Sequence, residues 1–136
     1  MTVMPSDGSL KTTTALAQRV RSYLQRIALR GEPITYKALA EALELTPPNT
    51  IHKVTESLEH LMREDAANGH PFIAAFVISR ARGGLPAPGF FDVAQRLGHF
   101  DGDSSGPDAA AFHAAAFAAA VAFWSAVETS ETGDAA

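Results

Sequence analysis

The sequence predicts a mainly α-helical protein with a small β-sheet, and three observations carry that prediction. Apolar residues recur at three- and four-residue steps in several stretches, the mark of helices with one buried face. One run, Pro71-Phe72-Ile73-Ala74-Ala75-Phe76-Val77-Ile78-Ser79, is almost continuously apolar and has the length of a strand buried on both faces. Directly behind it, Arg80 to Gly89 carries three glycines and two prolines, which forbid a helix and mark a loop.

A chain of 136 residues is one domain by length. It is long enough to bury roughly two thirds of the surface its unfolded form exposes. Composition is that of a globular protein, with 46% apolar and 19% charged residues and an alanine excess near the C-terminus. There is no cysteine, which excludes disulfides, thiol nucleophiles and Cys-ligated zinc or iron–sulfur centres and fits a cytoplasmic protein. The opening MTVMPSDGSLK has no basic region followed by an apolar one, so no secretory signal is expected. The net charge of −4 hides a division: residues 9–99 hold all eleven Lys and Arg against eight Asp and Glu, while residues 100–136 hold six acids and no base. A mildly basic body therefore precedes an acidic C-terminal segment.

Taken in order, residues 1–8 read as a disordered lead-in. Ser9 is placed to cap a helix to about Arg30, whose Leu16, Val20, Tyr23, Leu24 and Ile27 form one stripe. Arg19, Arg26 and Arg30 border that stripe as solvated flank residues with buried stems. Gly31 ends the helix from the position glycine favours. Ile34-Thr35-Tyr36 reads as a one-rung strand, with Thr35 capping a helix from Tyr36 to Leu43 that buries Ala38, Leu39, Ala42 and Leu43. Thr46 is the expected cap of the next helix, with Pro47 at its first position. Ile51, Val54, Leu58, Leu61 and Met62 then make an inward stripe up to the Asn68-Gly69 stop.

Two helices with a tight break, the second long and amphipathic, make a helix-turn-helix. Adding the Pro71–Ser79 strand and the Arg80–Gly89 loop as a wing gives a winged-helix-like domain over residues 9–99. It closes with a short helix from Phe90-Phe91 to Leu97-Gly98, with Phe91, Ala94 and Leu97 inward. Residues 100–107 form a linker. Asp101, Asp103 and Ser105 alternate there as in a calcium loop, but the twelfth-position acid is missing and the glycine is misplaced, so a plain loop is expected.

Residues 108–128 form an alanine-rich helix, and 129–136 a disordered tail. Its nearly uncharged length suggests a membrane span. Alanine is only weakly apolar, His113 lies inside, and no Lys or Arg flanks it, so no membrane is expected. His113, Phe117, Val121 and Trp124 share one stripe, which serves either packing on the parent domain or a homodimer contact through Phe117, Val121 and Trp124. His113 reads as a packing histidine with one nitrogen satisfied.

No catalytic residue, metal site or cofactor is expected. His52, Glu56 and His60 share a helix face, but a third strong ligand is missing, so they read as exposed polar residues. Ser57 and Ser79 have no His/Asp relay in view. The Gly83–Gly89 loop lacks the lysine of a phosphate-binding loop and does not launch a helix at a GxGxxG spacing. The functional expectation is therefore a binding surface. In a DNA-binding reading, Asn49, Thr50, His52 and Lys53 at the start of the second helix face the major groove, where Asn pairs with adenine and Lys reaches guanine or phosphate. Arg80 and Arg82 at the wing, and Lys37 at the first helix, meet the backbone. Glu56, Glu59 and Glu64 oppose this.

Pro33-Ile34-Thr35-Tyr36-Lys37-Ala38-Leu39-Ala40 resembles the TYGELA-type lead-in of the DNA-binding domains of alkyltransferase-like proteins. The resemblance covers about residues 33–89 and implies a winged helix-turn-helix with a DNA-facing second helix and wing. The family's Pro-Cys-His-Arg segment is absent, so neither alkyl transfer nor alkylated-base recognition is carried over. The expectation is a non-enzymatic, homodimeric, cytoplasmic winged-helix protein that binds double-stranded DNA and regulates transcription. The alternative is a protein–protein interaction module on the same scaffold, without nucleic-acid binding.

Overall fold

The computed structural model of the chain describes the backbone of residues 5–135 and the side chains of residues 14–126. The chain is mainly α-helical with one small sheet, as the sequence predicts. Helix α1 (Pro5–Arg30) leads to strand β1 (Ile34–Thr35), helix α2 (Tyr36–Ala42) and helix α3 (Thr50–Ala67). A 3-10 turn (Ile73–Phe76), strand β2 (Val77–Ile78) and a second 3-10 turn (Arg80–Arg82) follow, then helices α4 (Pro88–Arg96) and α5 (Pro107–Ala135). The expected lead-in over 1–8 is already helical from Pro5, so Ser9 is not the cap; residues 1–4 lie outside the described residues. The tail expected over 129–136 continues α5 to Ala135.

Strands β1 and β2 pair in parallel, with Ile34 opposite Val77 and Thr35 opposite Ile78. Parallel neighbours need a long crossover. Here the crossover contains the α2–α3 pair, so the two paired strands lie immediately before and after these helices in the chain. Thr35 caps α2 as expected, its hydroxyl accepting the Ala38 amide hydrogen at 3.0 Å. The start of α3 differs from expectation. Asn49, left-handed at φ 62°, is the N-cap, and Pro47–Pro48 stays outside the helix. A proline disfavours α geometry in the residue before it, so Pro47 ahead of Pro48 is a poor first helical residue.

The strand predicted over Pro71–Ser79 is mostly not a strand. Phe72 to Val77 are all buried, as the apolar run implies, but Ile73–Phe76 are wound into a 3-10 turn and only Val77 and Ile78 pair. The cause sits on α3. Asp65, 1% exposed, accepts the Ile73 amide hydrogen on Oδ2 at 3.0 Å, and Ala75 N–H closes onto the Phe72 carbonyl. The other Asp65 oxygen meets Arg21 Nη2 of α1 at 2.9 Å, an ion-pair contact rather than an aligned hydrogen bond. The same Arg21 nitrogen hydrogen-bonds Glu64 at 3.0 Å, and the guanidinium lies over the Trp124 ring, 5.1 Å from its centroid. One buried carboxylate thus joins α1, α3 and the approach to β2, and its cation touches α5.

Helix α5 packs on α1 and on the 3-10 turn at 73–76. His113 Nε2–H donates to the Ala75 carbonyl at 2.9 Å, the Trp124 indole donates to the Pro71 carbonyl at 3.0 Å, and Phe117 sets its ring edge-on to Phe76. Of the two uses expected for the α5 stripe, these contacts are the packing on the parent domain. Phe117, Val121 and the 4%-exposed Trp124 are packed against the chain's own core, because the 71–76 segment offers unpaired carbonyls and an aromatic surface beneath them. Every exposed residue from Ala110 to Ala126 is alanine. By length and composition Pro107–Ala126 could cross a membrane.

Removing Arg21 leaves a buried carboxylate without its cation. Arg21→Ala is expected to cost about 3 kcal/mol, and Asp65→Asn, which keeps an oxygen for Ile73, less than Asp65→Ala. Urea unfolding measures both, and a change under about 0.5 kcal/mol for Arg21→Ala would show that the pair anchors nothing.

Burial holds His113 below the ordinary imidazole value of 6.5, against the raising effect of its bond to Ala75. A depressed folded-state value means that the neutral ring's contribution is complete above pH 6.5 and is lost as pH falls through the folded value. Asp65 runs the other way. Burial raises it above 3.8, against the Ile73 amide and Arg21, so its contribution is complete below 3.8 and lost as pH rises. The difference between the wild type and His113→Gln isolates the histidine. The variant is expected to lose less stability between pH 7.5 and 5, read by fluorescence of Trp124, the chain's single tryptophan.

Candidate nucleic-acid interface

The first turn of α3 projects from the fold. Thr46 to Asn49, Ile51 and His52 are all exposed, and Thr50 is half-buried. Below them Val54, Leu58, Leu61 and Met62 are buried and anchor the helix to the core. Asn49 has no side-chain cap bond, so its amide faces outward uncommitted to α3. His52 and Glu56 approach to 3.7 Å along the exposed face, with side chains 68% and 56% accessible. His60 pairs instead with Glu64 at 3.2 Å, so the two histidines of the stripe each engage a neighbour on α3.

Between α2, the first turns of α3 and the wing lies an open groove of about 680 Å³. Its lining includes Lys37, Glu41, Ile51, Thr55, Ser79 and Arg80. Lys37 is exposed at the start of α2 and Arg80 at the start of the wing. A smaller cavity of about 150 Å³ lies next to it, sharing Tyr36, Thr55 and Ala87 and reaching Glu59 and Phe90. The Tyr36 hydroxyl accepts the Ala87 amide hydrogen at 2.8 Å, and burial pushes its phenol above the usual value. The end of the wing is thereby tied to the first residue of α2.

The Arg80–Gly89 loop expected as a wing holds a 3-10 turn at Arg80–Arg82 and reaches α4 already at Pro88. Ser79 and Leu85 form an antiparallel bridge around the 80–82 turn, and Gly83 and Gly84 supply the positive φ angles of 68° and 92° that close it. Pro86 is fully buried behind it.

Of the seven predicted contact residues, the structure brings Lys37, Asn49, Thr50, His52 and Arg80 to the groove or the exposed tip of α3. Lys53 is half-buried, its ammonium donating to the Thr46 carbonyl at 3.3 Å, so it braces the loop before α3. Arg82 is a correction. Its guanidinium donates to the Ser104 carbonyl and lies 5.8 Å from the centre of the Phe91 ring, tying the wing to the linker and α4. The sequence placed Arg82 outward because nothing local reveals a carbonyl 22 residues away.

Ile51 is the second correction. Expected in the inward stripe of α3, it is 44% exposed and lines the groove. It lies three residues before Val54, at the edge of the stripe, and in the turn that overhangs the core. Acidic groups stand close by: Glu41 in the groove, and Glu44 and Glu56 exposed. Residues that reach the interface therefore carry nearly balanced charge. No family model, curated protein or solved structure matches this chain.

Arg82→Ala removes a charge-assisted hydrogen bond and a cation–π contact, and is expected to cost about 1–2 kcal/mol in urea unfolding. Arg80→Ala, on an exposed side chain, is expected to stay within about 0.5 kcal/mol. Equal costs would show that Arg82 is as free as Arg80.

Proposed function

We propose that this chain is a non-enzymatic winged-helix protein that binds duplex DNA through the exposed start of α3 and the groove beside it, and so regulates transcription. The observation that supports this most is the projection of α3's first turn beyond the core, with Lys37 and Arg80 lining the groove at its side. An α-helix fits the major groove, about 12 Å wide, and readers of this type present the N-terminal residues of the second helix to base edges. In this reading Asn49 pairs with adenine, Thr50 and His52 contact neighbouring base edges, and Lys37 and Arg80 hold phosphates.

The charge balance sets the character of binding. Two or three cations reach DNA while Glu41, Glu44 and Glu56 oppose it, so non-specific affinity is low and most discrimination comes from base contacts. Those acids also favour a second reading, a protein partner with its own basic groups set against α3.

Titration of the full chain against a mixed duplex pool, across salt concentrations, tests both. Each phosphate contact contributes about −0.9 to the slope of log affinity against log salt, so a slope near −2 to −3 is expected. Lys37→Ala with Arg80→Ala is expected to remove about two of those contacts. Absence of binding at low salt would overturn the DNA reading and leave the protein-partner reading standing.

A further inference from the structure

We infer that Ile51 is a specificity-determining residue that packs on the C5-methyl group of a thymine in the major groove. The inference rests on the DNA reading above and names what one wall of the same groove recognises. Ile51 and Leu29 are the two large hydrophobic side chains exposed among the described residues. Leu29 stands near the end of α1, away from the groove. Ile51 is 44% exposed, in the first turn of α3, between Asn49 and His52.

Ile51 lies outside the buried core, whose α3 contacts begin with Val54. One turn further along the same wall, Thr55 spends its hydroxyl on the His52 carbonyl at 2.9 Å, which leaves its methyl as the group it offers the groove. Positions 51 and 55 therefore present apolar groups beside Asn49 and His52, in a groove whose lining also includes the apolar Ala38, Ile78 and Ala87 and the charged Lys37, Glu41 and Arg80. Of the groups that base pairs present in the major groove, the thymine methyl is the apolar one, and the others donate or accept hydrogen bonds. An apolar side chain among polar readers selects for that group and rejects cytosine, whose amine it would leave without a partner.

The test begins by selecting preferred duplexes from a random pool with the full-length protein. Each thymine of the selected site is then replaced by uracil, which removes the methyl and changes no hydrogen-bonding group. Affinities are measured for the wild type, Ile51→Ala and Ile51→Val. The wild type is expected to lose about fourfold at one or two thymines, the size expected for one buried methyl. Ile51→Ala should bind thymine and uracil duplexes alike there, and Ile51→Val should keep most of the difference. Ile51 is exposed, so all three should share one circular dichroism spectrum and unfolding midpoint.

Selective binding with no uracil effect at any position would overturn the inference and leave the DNA reading intact. A uracil effect that persists in Ile51→Ala would equally overturn it, since another residue would then be reading the methyl. Failure to bind any duplex at low salt would remove both together.

Discussion

The Asp65 carboxylate, closed off from water, is the constraint from which the other positions follow. A buried charge is tolerable only where partners replace its lost hydration. Asp65 finds them in Arg21 from α1 and in the Ile73 amide beyond the end of α3. The second contact decides where the chain goes after α3. With Ile73 N–H held, the next residues wind into a 3-10 turn, and Val77 emerges in line with Ile34. From that register come the wing at 79–85, the Tyr36–Ala87 bond and the groove walled by Lys37 and Arg80. The polar network thus sets direction more than it adds stability. An apolar pair would fill the space, but it would not choose the path of the chain.

Helix α5 reinforces the same segment from the other side. Its His113 and Trp124 take the carbonyls of Ala75 and Pro71, which the short strand leaves without ladder partners. Carbonyls withdrawn from water need donors, and a helix rich in alanine comes close enough to deliver two ring N–H groups. The aromatic residues of α5 and α4 then cluster, with Phe100 and Phe112 ring centres 4.9 Å apart and Phe91 beside both. The 100–107 connection is held at its start and near its middle: Phe100 sits in this cluster, and the Ser104 carbonyl accepts from Arg82.

Much of this was legible in the chain, and the misses share a cause. Helix stripes such as Val20–Leu24–Ile27 and Val54–Leu58–Leu61, the Thr35 cap and the Phe90-Phe91 helix are short-range signals, and the structure keeps them. The continuous apolar run at 72–77 told of burial but not of extension, because periodicity cannot see an aspartate eight residues earlier claiming the Ile73 amide. Arg82 and Trp124 looked available because their partners, Ser104 and Pro71, are far along the chain. For Ile51 the spacing alone predicts an inward side chain. Spacing says which face a residue is on, but not how far the neighbouring helix extends to cover it. Arg21 carries no local signal, since it lies beside, not among, the arginines that border the α1 stripe, and its role comes through its partners Asp65 and Glu64.

In the proposed DNA reading, the mixed charge around the groove sets how discrimination arises. A protein that held DNA mainly by charge would have Lys and Arg lining its exposed helix face, and affinity would then be nearly blind to sequence. Around α3 the acids Glu41, Glu44 and Glu56 stand among Lys37, Lys53 and Arg80, and Lys53 already donates to a backbone carbonyl. On the proposed reading, attraction to an arbitrary duplex would be weak in such a field, while a duplex whose base edges match Asn49, His52 and Ile51 would gain contacts that the field does not supply. Low background affinity then raises discrimination, because the competing sites on any long DNA are bound by charge alone.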